Sequence, residues 1–153
     1  MAHLIDLQKS EGIMQYHFKE KTLLTQALYA PVKLQDKETD KILYLDDGNR
    51  RLAQLGHKVL DLVLNDVWFH AGSDRESVNN IVTTCTSASY LAAVARRHGL
   101  DLCVNNCVRQ DLDGPSPKTL KLAVTALIGA VWLDSDKDIT VVSKLVNTLG
   151  ITQ

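Results

Sequence analysis

Two stretches of this chain gather the side chains best suited to chemistry. Asn49-Arg50-Arg51-Leu52-Ala53-Gln54-Leu55-Gly56-His57-Lys58-Val59-Leu60-Asp61 carries the cations Arg50, Arg51 and Lys58 beside His57. Leu120-Lys121-Leu122-Ala123-Val124-Thr125-Ala126-Leu127-Ile128-Gly129-Ala130 adds Lys121, with Lys118 just ahead of it. Such cations neutralise phosphates without a metal, giving an affinity that depends on salt and not on base sequence. An imidazole with an unperturbed pKa near 6.5 suits proton transfer. No nucleophile or orienting carboxylate is recognisable for His57, however, so a packed or surface histidine is the plainer reading. Asp46 and Asp47, directly before Gly48, read as turn residues. Asp61 extends the Ala53–His57 stripe by one helical turn, and Asp66 follows it. Cys103 and Cys107 with His98 begin a zinc-like set that lacks a fourth ligand, so Cys85, Cys103 and Cys107 read as buried thiols.

Composition limits what these residues can be part of. With 153 residues, 45% of them hydrophobic, the chain can bury a real core without staples. Seventeen basic against eighteen acidic residues give a net charge of -1, so no global field draws the protein to nucleic acid or to an anionic membrane. Any such binding must come from a local patch. Three cysteines with no CxxC pair argue against a disulfide framework and for a reducing compartment. The first residues resemble neither a secretory signal nor an Arg-rich transit peptide, and no apolar run approaches a membrane span. The expectation is a soluble protein, cytoplasmic or nuclear, with no membrane partner.

The elements that must position these side chains are helices. Apolar residues recur at helical spacing at Leu23, Leu24, Ala27 and Leu28, and again at Leu52, Leu55, Val59, Leu60, Val63 and Val67. No strand-like alternation is sustained, and the fold class expected is all-α. Ser73 with Glu76 reads as a capping box opening a helix near Asp74, and Gly99 as a helix stop. Ser116-Pro117 reads as an N-cap with proline in the first turn, and Gly150 as the end of the last helix. The polar stretches Lys33 to Lys41 and Asn105 to Pro115 read as surface loops. Residues 1–15 are expected to be an extension ahead of a single domain, residues 16–150.

Four segments in order resemble the ribonuclease III domain. Tyr16 to Leu28 is similar to its opening segment, in which an aromatic and Phe precede a Leu-Leu-x-x-Ala-Leu helix. Residues 49–58 resemble the motif Asn-Glu-Arg-Leu-Glu-Phe-Leu-Gly-Asp-Ser, and Ser87 to Leu100 resembles a helix ending in Ala-Arg-x-x-Gly-Leu. Residues 120–134, after Ser116-Pro117-Lys118, resemble Leu-Ala-Asp-x-x-Glu-Ala-Leu-Ile-Gly-Ala, closest in flavour to Dicer-like members. The resemblance implies a helical endonuclease-type bundle whose chemistry uses two Mg²⁺ ions held by carboxylates. Here the family's acids fall on Arg50, Ala53 and His57 in the first helix and on Leu122 and Thr125 in the second. None supplies an anionic oxygen. Ala53 and His57 are four apart and Leu122 and Thr125 three apart, so each pair shares a helix face. The catalytic positions Ala53, His57, Leu122 and Thr125 are therefore expected to be degenerate, with no metal and no Mg²⁺ cofactor.

The resemblance also frames the partners. A region acidic in the family is basic here, at Arg50, Arg51, Lys58, Lys118 and Lys121, which implies a catalytically inactive domain that binds, protects or positions double-stranded or structured RNA. Equally open is that these positions drifted to ordinary helix surface, where Lys and Arg are good helix formers. Family members pair through the first motif helix, with an aromatic knob at the position of Gln54, so a homodimer or a heterodimer with another such domain would rest on Gln54, Leu55 and Val59, or on Trp68-Phe69. One alternative is a protein scaffold pairing with a homologous domain in a ribosomal or RNA-processing complex. The other is a working endoribonuclease with a non-standard site.

Overall fold

A computed structural model describes residues 4–35, 38–105 and 114–151. Among the described residues seven α-helices dominate: α1 (Leu4–Met14), α2 (Lys21–Ala27), α3 (Arg50–His70), α4 (Arg75–Cys85), α5 (Ala88–His98), α6 (Pro117–Asp134) and α7 (Ile139–Thr148). A 3-10 turn, Leu100–Leu102, follows α5. The all-α expectation holds, with one addition. Strands β1 (Val32–Gln35) and β2 (Ile42–Asp46) pair as an antiparallel hairpin, with Lys33 opposite Tyr44, Leu34 opposite Leu43 and a register shift next to Val32. The stretch from Lys33, read as a surface loop, therefore begins as a strand. Strands of four and five residues are too short to leave an alternating pattern that stands out from a loop.

The bundle is organised around α6. Its residues from Ala123 to Val131 are all buried, so it is sheltered on every side, as an apolar helix must be. Across it lies α3, whose buried residues Leu52, Ala53, Gly56, Val59, Leu60, Val63 and Leu64 fall at intervals of three and four and form one apolar face. The α3–α6 contact is the most extensive between any two described elements. It is close because a glycine from each helix lies in the seam. A methyl group added at Gly56 would come within 2.6 Å of the Gly129 nitrogen and nearer still to the Thr125 carbonyl oxygen.

Helix ends follow local chemistry. The Ser116 hydroxyl accepts from Thr119 N at 3.2 Å, with Pro117 in the first turn, as expected for the start of α6. Gly99 ends α5 with a φ of 80°. The cap of α4 differs from expectation: Asp74, not Ser73, caps the helix, its Oδ1 accepting from Ser77 N at 2.7 Å. A carboxylate one residue later in the chain satisfies the same orphan donors, so the Ser73–Glu76 pair is not needed. Gly150, with a φ of 71°, stands just beyond the end of α7.

Residues 4–14, expected as an extension, form α1 and contribute Met14 to the core. A buried carboxylate at the end of α6 ties down the chain that follows α1. Asp134 accepts from the Tyr16 hydroxyl at 2.7 Å, from Lys19 N at 3.0 Å and from Glu20 N at 2.8 Å. Burial opposes ionisation of Asp134, but these hydrogen bonds and the Lys19 charge outweigh it and hold the carboxyl below its usual range. Glu11 repeats the device, accepting from Phe18 N at 2.7 Å and pairing with Lys21. Its pKa is likewise lowered: burial opposes the shift, and the bonds from Lys21 and Phe18 prevail. Among the described residues, no helix is long and apolar enough to cross a membrane.

The candidate site between two crossing helices

A cavity of about 430 Å³ opens between α3 and α6 on the side of Arg50 and Lys121. Its inner surface is apolar. Ala53 is 3% exposed, and Leu122 lies across from it on α6. Thr125, 2% exposed, directs its hydroxyl back into its own helix, donating to Lys121 O at 2.8 Å and to Leu122 O at 3.2 Å. All four positions expected to be degenerate, Ala53, His57, Leu122 and Thr125, line this one cavity. Their spacing on two helix faces brings them together once the glycines at 56 and 129 let the helices meet.

The rim is cationic. Arg50 and Arg51 enter from the first turn of α3, and Lys121 enters from α6. Arg50 is held by Asp47, Nη1 to Oδ1 at 2.9 Å, a partly exposed pair of the kind that contributes about 0–1 kcal/mol. Among the described residues, neither Arg51 nor Lys121 has an ion-pair partner. His57 lies deeper on α3, its Nε2 3.7 Å from Asp61 Oδ2, with both side chains about a third exposed. Gln54 completes the rim with an exposed amide.

Some expected residues are located elsewhere. Lys58 and Lys118 are exposed but do not line the cavity, so the basic patch divides into Arg50, Arg51 and Lys121 at the mouth and two outlying lysines. Asp61 is likewise outside the lining and faces His57. Among the residues expected at a dimer interface, Gln54 is exposed and Leu55 half-buried, but Val59 is turned into the chain's own core. Val59 lies one turn beyond Leu55 on the same side of α3, but there the chain's own core covers it. The outward face of α3 instead presents Leu62 and Phe69, 55% and 76% exposed. Trp68, by contrast, is half-buried.

One lining residue was missed in the sequence. Asp47 is a turn residue, as read, but it also faces the cavity, and its position three before Arg50 was the available signal. Asp46, the last residue of β2, serves the following turn, its Oδ1 accepting from Gly48 N at 2.8 Å. Among the described residues no metal-ligating group forms: His98 Nε2 lies 3.0 Å from Leu149 O, and Cys103 is buried with its thiol against Gly99 O. Cys107 and most of the stretch from Asn105 to Pro115 lie outside the described residues.

Comparison with known proteins follows the same outline. The family model described as "Ribonuclease III domain" matches residues 50–136, which hold both helices of the cavity. Ribonuclease 3 of Campylobacter jejuni is 29% identical over 139 residues, covering 88% of this chain and 58% of that protein. Ribonuclease 3 of Rickettsia bellii is 27% identical over 146 residues, covering 93% and 62%. Ribonuclease 3 of Helicobacter acinonychis is 30% identical over 138 residues, covering 88% and 53%. The chain thus spans between 53% and 62% of the length of these relatives. Among solved structures, the nuclease domain of ribonuclease III from Campylobacter jejuni, described for flexibility in a region involved in dimer formation, superposes with a TM-score of 0.75. It is 26% identical, with 94% of each chain covered.

Proposed function

This chain belongs to the ribonuclease III domain family, and from that premise we propose that it is a metal-free member that binds double-stranded or structured RNA without cutting it. The observation that carries this reading is the composition of the cavity where α3 and α6 cross: cations at the mouth, Arg50, Arg51 and Lys121, over an inner wall of Ala53 and Leu122. Magnesium requires hard oxygen donors, usually carboxylates with water. Ala53 and Leu122 offer no donor, the Thr125 hydroxyl is committed to its own backbone, and Asp47 is drawn to Arg50. This donor set does not fit a pair of Mg²⁺ ions. Fixed cations can instead meet phosphate oxygens directly, which gives retention and leaves no activated water for cleavage.

Pairing of two copies through the outward face of α3 is part of the same proposal. Exposed Leu62 and Phe69 lie on that face, and the similar Campylobacter domain is described by a region involved in dimer formation. Pairing with a different domain of this family is the second reading, favoured by Gln54 at the exposed position where the family's motif has an aromatic.

The test is a titration of the protein with labelled duplex RNA at two salt concentrations, with and without Mg²⁺, following retention and cleavage together. Intact RNA should be retained, with log affinity against log salt falling by up to about 0.9 for each phosphate neutralised. Alanine at Arg50, Arg51 and Lys121 together should flatten that slope by about 2 to 3. Cleavage that depends on Mg²⁺ refutes the reading, and so does retention unchanged in the triple variant. The variant Ala53→Glu, His57→Asp, Leu122→Asp, Thr125→Glu asks whether only the ligands are missing, with regained cleavage as the positive result.

A further inference from the structure

The geometry points to the cavity between α3 and α6 as a site for a nucleoside monophosphate, free or as the terminal nucleotide of an RNA strand. This inference deepens the RNA-binding reading and rests on the same cavity. Contact with a duplex backbone needs only surface cations. Here Arg51 and Lys121 stand at the edge of an open cleft of about 430 Å³, a volume within the range that accommodates small organic ligands. Neither cation is paired among the described residues. They come from different helices, so both can approach one phosphate, the guanidinium as a fork and the ammonium as a point charge.

Charge matching then selects the kind of phosphate. An internal phosphodiester carries a single negative charge. A phosphate monoester carries about 1.5 to 2 at neutral pH. Two uncompensated cations converging on one space favour the monoester. The half-buried Leu122 gives the organic part of the ligand an apolar surface to cover, which inorganic phosphate cannot use. At the rim the exposed Gln54 amide offers an acceptor and a donor for sugar hydroxyls or base groups. No covalent step is involved, and the site would hold its ligand in the absence of a metal.

The experiment is calorimetric titration in EDTA with adenosine 5′-monophosphate, adenosine and inorganic phosphate, alongside competition against labelled duplexes with and without a 5′-phosphate. The nucleotide should bind at least 10-fold more tightly than adenosine or inorganic phosphate. Arg51→Ala and Lys121→Ala should each weaken it 10-fold or more. Lys58→Ala, which alters a cation outside the cavity, should leave it unchanged. Leu122→Asp, checked for native circular dichroism, should abolish it. If the strand end is the natural source, the 5′-phosphorylated duplex binds more tightly and the nucleotide displaces it; equal duplexes with tight nucleotide binding assign the site to the free compound. Absent nucleotide binding, or inorganic phosphate binding as tightly, overturns the inference. Salt-dependent duplex retention that the nucleotide does not disturb would then leave the RNA-binding reading standing alone, whereas nucleotide binding without duplex retention refutes that reading and upholds the site.

Discussion

Replacing Gly56 by alanine tests the helix crossing on which the cavity depends. In water-exposed helices this change is favourable by about 1 kcal/mol. At Gly56 the new methyl would meet the Gly129 nitrogen at 2.6 Å, the Thr125 carbonyl carbon at 2.7 Å and the Thr125 carbonyl oxygen more closely still. Carbon needs about 3.5 Å, so α6 must retreat by roughly 1 Å or more at this point. A gap of that size forfeits about a quarter to a half of the dispersion energy of each facing contact. The contact affected is the most extensive in the bundle. The cost should reach or exceed about 3 kcal/mol, the upper end for overpacked cores, after the propensity gain is subtracted. For a chain of this size that corresponds to a fall of about 6 to 12 °C in Tm. Gly12→Ala is the matched control, since Gly12 is exposed in α1 and an added methyl meets nothing within 4 Å. Thermal and urea unfolding of both variants should show Gly12→Ala at or above the parent and Gly56→Ala far below it. A Gly56→Ala protein within 0.5 kcal/mol of the parent, a margin of about 1 to 2 °C, would refute the close crossing and the shape of the cavity with it.

Three other outcomes can be checked on the same protein. Asp134→Ala removes the shared acceptor of Tyr16, Lys19 and Glu20 and should cost about 3 kcal/mol in urea denaturation, whereas Tyr16→Phe, which loses one bond to a charged acceptor, should cost about half as much. The carboxyls of Asp134 and Glu11 are held below their ordinary values of 3.8 and 4.5, so the stability they contribute is present above those values and is lost as pH falls through the lowered ones; Tyr16, pushed up chiefly by burial and by Asp134, weakens the fold only as pH rises above 10.0, and Tyr16→Phe should abolish that alkaline loss in pH-dependent unfolding. Leu62→Lys with Phe69→Lys should leave the melting temperature of the isolated chain nearly unchanged while abolishing self-association in sedimentation, whereas Val59→Ala should cost about 1 to 3 kcal/mol as a core truncation.

Much of the site was legible because helical periodicity is a strong signal over long elements. The spacing of Ala53 to His57 and of Leu122 to Thr125 puts each pair on one face, and both faces line the cavity. What could not be read is which turn of a helix meets its neighbour. Arg51 and Lys58 lie seven residues apart on the same side of α3, yet only Arg51 reaches the cavity, because α6 crosses near the start of that helix. Val59 is buried in the chain's own core although Leu55, one turn before it, is half-buried, a difference that helical spacing alone does not reveal. The hairpin was invisible for a different reason: its strands, of four and five residues, are too short for a period to stand out. Asp74 in place of Ser73 at the cap of α4 reflects two neighbouring residues of equal capping ability, a choice that sequence leaves open.

The sheltered position of α6 has a consequence for how the chain comes into being. The helix spans Pro117–Asp134, late in the sequence, yet the apolar face of α3, including Leu60 and Val63, is built to rest on it. During synthesis more than 100 residues precede α6, and α3 and α5 emerge before the helix against which each packs most extensively. At about 5–20 residues per second this interval lasts several seconds, ample time for contact with chaperones or with other exposed chains. Folding of this domain is therefore tied to completion of its C-terminal third. A ribosome stalled before Pro117 would display the apolar face of α3 as a sticky nascent surface.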